Sequence, residues 1–285
     1  MKAETALRQG LDLLRDGGIG APALTAELLL AQALHRDRVY LLTHPEYELS
    51  EVEWIHYGRS LHERLQGKPT QYITRTQEFW GRDFHVERDV LIPRPETEHV
   101  VEAALALLSA DGPLGGSRPP RRVLDIGTGS GILAVTLALE TSARVFATEL
   151  SAAALRIAHA NAVRLNAPVA FAQCDLGSAL ATASFDLVVS NPPYIASAEI
   201  DGLQREVRDW EPREALDGGA DGLAVYRRLM PDAARLLRPG GWLILEIGAT
   251  QGDSVPGLLG PGWRECSVTP DLAGRPRVVK AQCRP

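Results

Sequence analysis

The sequence predicts an α/β protein: a largely parallel sheet that ends in an antiparallel hairpin, preceded by a small all-helical domain. Three observations carry that prediction. Apolar residues recur at helical spacing through the first 70 residues. From residue 122 onward, short apolar runs alternate with helical stretches, the pattern of βαβ units with right-handed crossovers. The last two strand-like runs are separated only by 269–275, too short for the dozen or more residues of a parallel return, so they must pair antiparallel.

The helical part opens with Leu7, Leu11 and Leu14 on one face, stopped by Asp16-Gly17-Gly18. Leu24, Leu28, Ala31 and Leu34 mark a second apolar face. Ser50-Glu51-Val52-Glu53 is a capping-box sequence, with Trp54, Tyr57, Leu61 and Leu65 following on one stripe until Gly67-Lys68-Pro69. From Gln71 to Ile92 the runs shorten and alternate, as in a hairpin, and Ile92-Pro93-Arg94-Pro95-Glu96 is a connector that two prolines keep out of helix. The expected organisation is a helical domain over 1–70, a hairpin and connector over 71–95, and an α/β domain over 96–285. A helix is expected over 97–108 and a Gly/Pro-rich loop over 111–120. Strands are expected over 122–126, 144–148, 169–173, 185–190, 242–247, 263–268 and 276–281, and helices over 132–140, 152–166 and 222–237.

Composition narrows the function classes. Thirty-six acidic residues against thirty basic ones give a formal net charge of −6, which leans away from a general nucleic-acid binder needing positive charge against phosphates. The three cysteines, Cys174, Cys266 and Cys283, form no Cys-x-x-Cys pair and are expected to be reduced thiols of a cytoplasmic protein. No run approaches the roughly 20 apolar residues of a membrane span, and the N-terminal stretch reads as an amphipathic helix rather than a signal peptide. No metal-ligand spacing is present, and His85, His99 and His159 receive no catalytic role.

The chemistry-bearing motifs lie in the α/β part. Asp125-Ile126-Gly127-Thr128-Gly129-Ser130-Gly131 joins a buried strand to a helix. Glycines there allow positive φ and close approach of a ligand, beside the unsatisfied N–H groups of the helix start. The third glycine is Gly131, with Ile132 where a dinucleotide fingerprint needs glycine, and no Walker Lys-Ser/Thr follows. Glu149 ends the next strand 22 positions after Gly127 and is placed to accept from two ribose hydroxyls, or else simply to favour the helix start near Ser151. Asp175 and Leu176, after the third strand, sit where an adenine would lie; Asp175 either accepts from its amine or is a solvated loop acid.

Asn191-Pro192-Pro193-Tyr194, ending the strand 185–190, is the strongest signal. The two prolines hold the chain extended and remove two donors. Asn191 Oδ1 and the Pro192 carbonyl can each accept one hydrogen of a planar –NH₂ while Tyr194 stacks on it. Held so, that nitrogen can face a methyl carried on a sulfonium. Orientation of this kind can supply roughly 7–11 kcal/mol of a barrier.

With these motifs, a parallel sheet closed by an antiparallel hairpin resembles the class I S-adenosylmethionine-dependent methyltransferase fold, Rossmann-like and seven-stranded. The chain resembles the glutamine-specific methyltransferases of peptide chain release factors over nearly its whole length. The resemblance runs through Glu78-Phe79-Trp80-Gly81, Ile92-Pro93-Arg94-Pro95-Glu96-Thr97-Glu98, the 125–131 loop and 191–194. It continues in Trp210-Glu211-Pro212-Arg213-Glu214-Ala215-Leu216 and Asp271-Leu272-Ala273-Gly274-Arg275-Pro276-Arg277. It implies an N-terminal domain that recognises the release factor and a catalytic domain that uses S-adenosylmethionine. Gly127, Thr128, Gly129, Ser130, Gly131, Glu149, Asp175, Leu176 and Asn191 would hold the cofactor. Asn191, Pro192, Pro193 and Tyr194 would hold the glutamine of a Gly-Gly-Gln loop, with Asn191, Pro192 and Tyr194 carrying catalysis. The chain departs from the family at Arg75, where members usually show glycine, and at Leu176, where many carry tryptophan. Two competing readings share these motifs: a methyltransferase for the exocyclic amine of adenine in DNA or RNA, and a non-catalytic cofactor-binding protein. The acidic total leans against nucleic acid as the direct substrate, and the intact acceptor motif leans against the second.

Overall fold

Local signals account for most of the first helices. In the computed structural model, which describes residues 1–115 and 121–284, α1 (Ala3–Asp16), α2 (Pro22–Ala33), α3 (Arg38–Thr43), α4 (Glu51–Leu65) and α5 (Thr70–Thr74) follow one another. Pro22 opens α2 at a position where its missing N–H costs nothing. Asp37 accepts from Tyr40 N at 2.7 Å and starts α3. The capping box of α4 is complete: Ser50 N donates to Glu53 Oε2 at 2.7 Å and Glu53 N to Ser50 Oγ at 3.3 Å. Their core is Leu14, Leu29, Leu30, Leu41, Tyr57 and Leu61. Gly10 is required there, because a Cβ on it would lie 1.9 Å from Tyr57 Oη.

Two expectations for this region change. Of the expected face, Ala31 and Leu34 are buried, Leu28 is half-buried and Leu24 is exposed, and Ala26, Leu29, Leu30 and Ala33 are buried as well; three consecutive leucines, 28–30, leave the phase of the stripe undetermined by sequence alone. The short helices α3 and α5 are additional to the expected ones, since five or six residues carry too little periodicity to show a helix.

The chain divides into two compact units, one of Met1–Thr76 with Gln204–Trp210, the other of Gln77–Leu203 with Glu211–Pro285. The hairpin β1 (Thr76–Phe79) and β2 (Arg82–His85) belongs, all but Thr76, to the second. Trp80 and Gly81 at its turn both have positive φ, as a two-residue turn matched to strand twist requires. A 3₁₀ turn, Pro95–Thr97, leads into α6 (Glu98–Leu108). Part of the loop expected over 111–120, residues 116–120, lies outside the described residues. Then come β3 (Arg122–Ile126), α7 (Ile132–Glu140), β4 (Arg144–Glu149), α8 (Ala152–Arg164), β5 (Val169–Gln173) and β6 (Phe185–Ser190). After α9 (Arg205–Arg208) in the first unit, α10 (Ala224–Leu236), β7 (Leu237–Glu246), β8 (Trp263–Pro270) and β9 (Pro276–Cys283) complete the chain. β7 starts five residues before the expected strand, because Leu237 pairs with Phe185 ahead of a bulge.

The seven strands order as β5-β4-β3-β6-β7-β9-β8. β9 enters between β7 and β8 and pairs antiparallel with both, so the predicted α/β sheet with an antiparallel last strand is what forms. Alternate residues of the central strands feed opposite cores. Val123, Val145, Leu187, Val189 and Ile244 pack with Val100, Val101 and Ala104 of α6. Leu124, Ile126, Val188, Leu243 and Leu245 pack with Tyr226, Leu229 and Ala233 of α10.

Arg75, the C-cap of α5, has φ 57°, the left-handed conformation in which a helix end ordinarily uses glycine. The departure from the family pattern therefore leaves a side chain in a strained position. Arg75→Gly is expected to raise the unfolding free energy by about 1 kcal/mol, read from urea denaturation of the full-length chain.

Candidate active site

Four neighbouring strands deliver the site. β5, β4, β3 and β6 are parallel and in register, Asp125 opposite Ala147 and Val189, so their carboxyl ends lie at one edge of the sheet. The glycine loop leaves β3, Glu149 ends β4, Asp175 and Leu176 follow β5, and Asn191 follows β6. The residues singled out from sequence are thus brought to adjacent strand ends about 5 Å apart.

The loop is shaped by three glycines with φ of 72°, 57° and 88° at Gly127, Gly129 and Gly131. Gly131 is required for packing, since a Cβ there would meet Ala158 at 3.2 Å. Around Gly127 and Gly129, by contrast, a Cβ would point into open space, which leaves room for a ligand over the backbone. Asp125 Oδ2 holds the loop by accepting from Thr128 Oγ1 at 2.6 Å and Ala134 N at 3.2 Å. Its Oδ1 is buried without a partner, and burial pushes its carboxyl up to about 7. Ser130 gives its carbonyl to Asn161 Nδ2 at 2.9 Å. Asn161, fully buried, also exchanges bonds with both backbone groups of His85, and so ties loop, α8 and hairpin together.

Glu149 takes one backbone bond on each oxygen, from Gly129 N at 2.9 Å and Ser151 N at 3.0 Å. A carboxylate oxygen has two lone pairs, so one acceptor position per oxygen remains, the number a vicinal diol needs. The open glycine cradle and this half-satisfied acid fit an adenosine-bearing ligand such as S-adenosylmethionine. Asp175 is exposed and engaged elsewhere, its Oδ2 accepting from Arg228 Nη2 at 2.5 Å. Leu176 adopts φ 49° and packs at the margin of the α10-side core.

At the other end, Asn191 is half-buried and Pro192 buried. Ser190 Oγ donates to the Ile126 carbonyl at 2.6 Å and ties the end of β6 to the end of β3. Asn191 Nδ2 donates to Thr97 Oγ1 at 3.2 Å, and Thr97 Oγ1 donates to Glu246 Oε2 at 2.7 Å. Tyr194 Oη lies 3.4 Å from Glu246 Oε1, and the Tyr194 carbonyl accepts from Gln251 Nε2 at 3.1 Å. With Nδ2 turned inward, the planar Asn191 amide leaves Oδ1 as its outward atom, an acceptor. The site therefore suits a donor such as –NH₂.

Glu246 ends β7 fully buried, and burial pushes it up to about 7 against the opposing bonds from Thr97 and Tyr194 and the charge of Arg277. Burial and Glu246 together raise the Tyr194 hydroxyl, which stays protonated and able to donate. Sequence reasoning assigned no role to Glu246. The signal that marks it is a lone acid inside the apolar run Trp242-Leu243-Ile244-Leu245-Glu246-Ile247, since acids are almost never fully buried unless paired. Glu211 is a second such residue. It takes Ile92 N at 3.2 Å and Arg94 Nη2 at 2.5 Å, so the connector and the Glu-Pro-Arg element bind each other. Arg277 pairs with Asp271 at 3.2 Å and donates to the Ile247 carbonyl. Among the described residues no His/Cys/Asp/Glu cluster could hold a metal ion, and no helix is long and apolar enough to cross a membrane.

Comparison with known proteins gives the family. A family model described as the PrmC N-terminal domain matches residues 5–74, and one described as the methyltransferase small domain matches 104–206. The chain is 46% identical over 282 residues to a "Release factor glutamine methyltransferase" of Koribacter versatilis (strain Ellin345), covering 98% of each. It is 43% identical to the protein so named in Moorella thermoacetica (strain ATCC 39073 / JCM 9320), covering 100% of this chain and 99% of that one. The crystal structure of a methyltransferase from Pyrococcus furiosus, 18% identical, superposes with a TM-score of 0.51 over 72% of this chain and 90% of that one, which speaks to the fold alone.

The two raised carboxyls make a pH dependence. Asp125 and Glu246 bind a proton more tightly folded than unfolded, so their stabilising contribution is complete below the ordinary carboxylate range. It is lost as pH rises through about 7. On the order of 3 kcal/mol is at stake for each. The thermal midpoint of the ligand-free protein should fall between pH 5 and pH 8, and Glu246→Gln should flatten that fall.

Proposed function

The chain belongs to the release factor glutamine methyltransferases, and on that premise we propose that it methylates the side-chain amide nitrogen of a glutamine in the Gly-Gly-Gln loop of a peptide chain release factor. The protein is an S-adenosylmethionine-dependent methyltransferase of the class I fold. Bound S-adenosylmethionine supplies an electrophilic methyl group. The observation that carries the reading is the acceptor face at the end of β6, where Asn191 turns its carbonyl oxygen outward.

An amide nitrogen is a poor nucleophile because its lone pair is delocalised, so the protein's contribution is placement. Asn191 Oδ1 accepts one amide hydrogen and the Pro192 carbonyl accepts the other. Two acceptors on one –NH₂ set its plane and hold electron density on the nitrogen. The Tyr194 ring stacks against the amide, its far end tethered toward Glu246. The proton released on methylation leaves to water; no strong base is needed, because a singly methylated protonated amide is itself a strong acid. Gly127–Gly131 and Glu149 would hold the cofactor, Glu149 through the two acceptor positions that its backbone bonds leave open. Leu176 and Asp175 would lie beside the adenine, Asp175 with one oxygen already taken by Arg228.

The helical region 1–70 recognises the release factor, 71–95 links it, and 96–285 carries the chemistry; the match of residues 5–74 to a PrmC N-terminal domain supports this division. A protein substrate and three free thiols support a cytoplasmic place of action.

The test offers wild-type protein a release factor and duplex DNA side by side with labelled S-adenosylmethionine, then maps the product by mass spectrometry. One methyl on the loop glutamine is expected; label in DNA with none in protein would refute the reading. Asn191→Ala is expected to lower turnover at least a hundredfold, on the order of 3 kcal/mol for losing both orientation and an acceptor, with cofactor affinity changed less than about threefold. Glu149→Ala should do the reverse and weaken cofactor binding about tenfold or more in calorimetry, the loss of a charge-assisted pair of bonds.

A further inference from the structure

We propose that Thr97 is a positioning residue for methyl transfer, acting through Asn191 by fixing which end of the Asn191 side-chain amide faces the substrate. The proposal deepens the function given above and rests on it.

Thr97 has no exposed surface and closes the 3₁₀ turn Pro95–Thr97. A hydroxyl has one hydrogen, and that of Thr97 is committed to Glu246 Oε2 at 2.7 Å. Toward Asn191 it therefore offers only a lone pair, which Nδ2 meets at 3.2 Å. The opposite orientation of the amide would set Oδ1 against that lone pair, acceptor against acceptor, in a buried place where the mismatch is not relieved by water. Since the amide is planar, tying Nδ2 inward turns Oδ1 outward.

Polarity in this relay is set at Glu246. Its carboxylate accepts from Thr97 on one oxygen and faces the Tyr194 hydroxyl with the other, so neither contact asks it to donate. The Glu246 backbone is fixed in turn: its carbonyl accepts from Tyr226 Oη at 2.7 Å, and its strand pairs with Val278 of β9. With Glu246 as the carboxylate, which can only accept, the direction of every hydrogen bond from Glu246 to Asn191 is determined. Without the Thr97 hydroxyl the two orientations of Asn191 become similar in energy, and the flipped one presents an NH₂ to the NH₂ of glutamine. Substrate docking elsewhere and the cofactor loop do not depend on this choice, so the loss should fall on kcat.

Thr97→Val removes the hydroxyl at nearly constant shape, and Thr97→Ser keeps it. In methylation of the release factor, Thr97→Val is expected to lower kcat about tenfold or more, the effect of one misdirected buried hydrogen bond. KM for the release factor and the calorimetric affinity for S-adenosylmethionine should stay within about threefold. Thr97→Ser should restore kcat to within about threefold of wild type. Thr97→Ala, which lacks the hydroxyl without adding apolar bulk, repeats the test if the valine variant does not fold. A folded Thr97→Val or Thr97→Ala protein with wild-type kcat overturns the relay. So does a serine variant as impaired as the valine one, which would place the effect in packing of the threonine methyl. Wild-type protein assayed alongside keeps the two ideas apart. If it leaves the glutamine unlabelled, the proposed function fails and the relay with it; if wild type and Thr97→Val label it equally, only the relay fails.

Discussion

A carboxylate buried in the protein has to be satisfied by it, and Glu246 organises the carboxyl end of the sheet for that reason. It sits at the carboxyl end of β7, fully buried, and draws in the Thr97 hydroxyl from the proline-flanked connector and the Tyr194 hydroxyl from the Asn-Pro-Pro-Tyr segment. Arg277, from the C-terminal hairpin, contributes positive charge and is itself held by Asp271 and the Ile247 carbonyl. Three stretches distant in sequence thus meet at one acid. Leaving any partner out would strand a buried polar group at a cost of about 1–3 kcal/mol, more for a charge.

The same logic repeats at Glu211 and Asn161. Glu211 joins the connector to the segment after β6 by accepting from the Ile92 backbone and Arg94. Asn161 satisfies both backbone groups of His85 and the Ser130 carbonyl, fastening the hairpin against the glycine loop. Prolines explain why side chains are needed for this work. Segments such as 92–96 and 191–194 cannot enter a helix or a full strand ladder, so their backbone groups and exits must be pinned by side chains. The glycine loop solves a different problem. Its glycines spend conformational entropy to reach positive φ, and at Gly127 and Gly129 the return is open space above the backbone rather than tighter packing.

Much of this was legible before any coordinates. The alternation of strands and helices, the forced hairpin at 269–275 and the capping box at Ser50 follow from local spacing and local hydrogen bonding, and each appears as expected. The site motifs were legible because each is contiguous: a glycine loop, an acid at a strand end, an Asn-Pro-Pro-Tyr run. What failed was short or degenerate. The leucines of α2 do not specify their own phase, and α3 and α5 are too brief to show a period. Arg75 shows the limit from the other side, since only the backbone reveals that the position is left-handed and that glycine would relieve it.

By itself, the sequence determined the class of fold, the order of its elements and the chemical types at the strand ends, because those depend on periodicity and on neighbours a few residues away. Only the tertiary structure decided which way each functional group points. The nitrogen of Asn191 is tied to Thr97, which leaves its oxygen free to accept, and Thr97 is tied to Glu246, 149 positions along the chain. Hydrogen-bond direction is a property of the whole closed chain of donors and acceptors. No local pattern in the sequence encodes it.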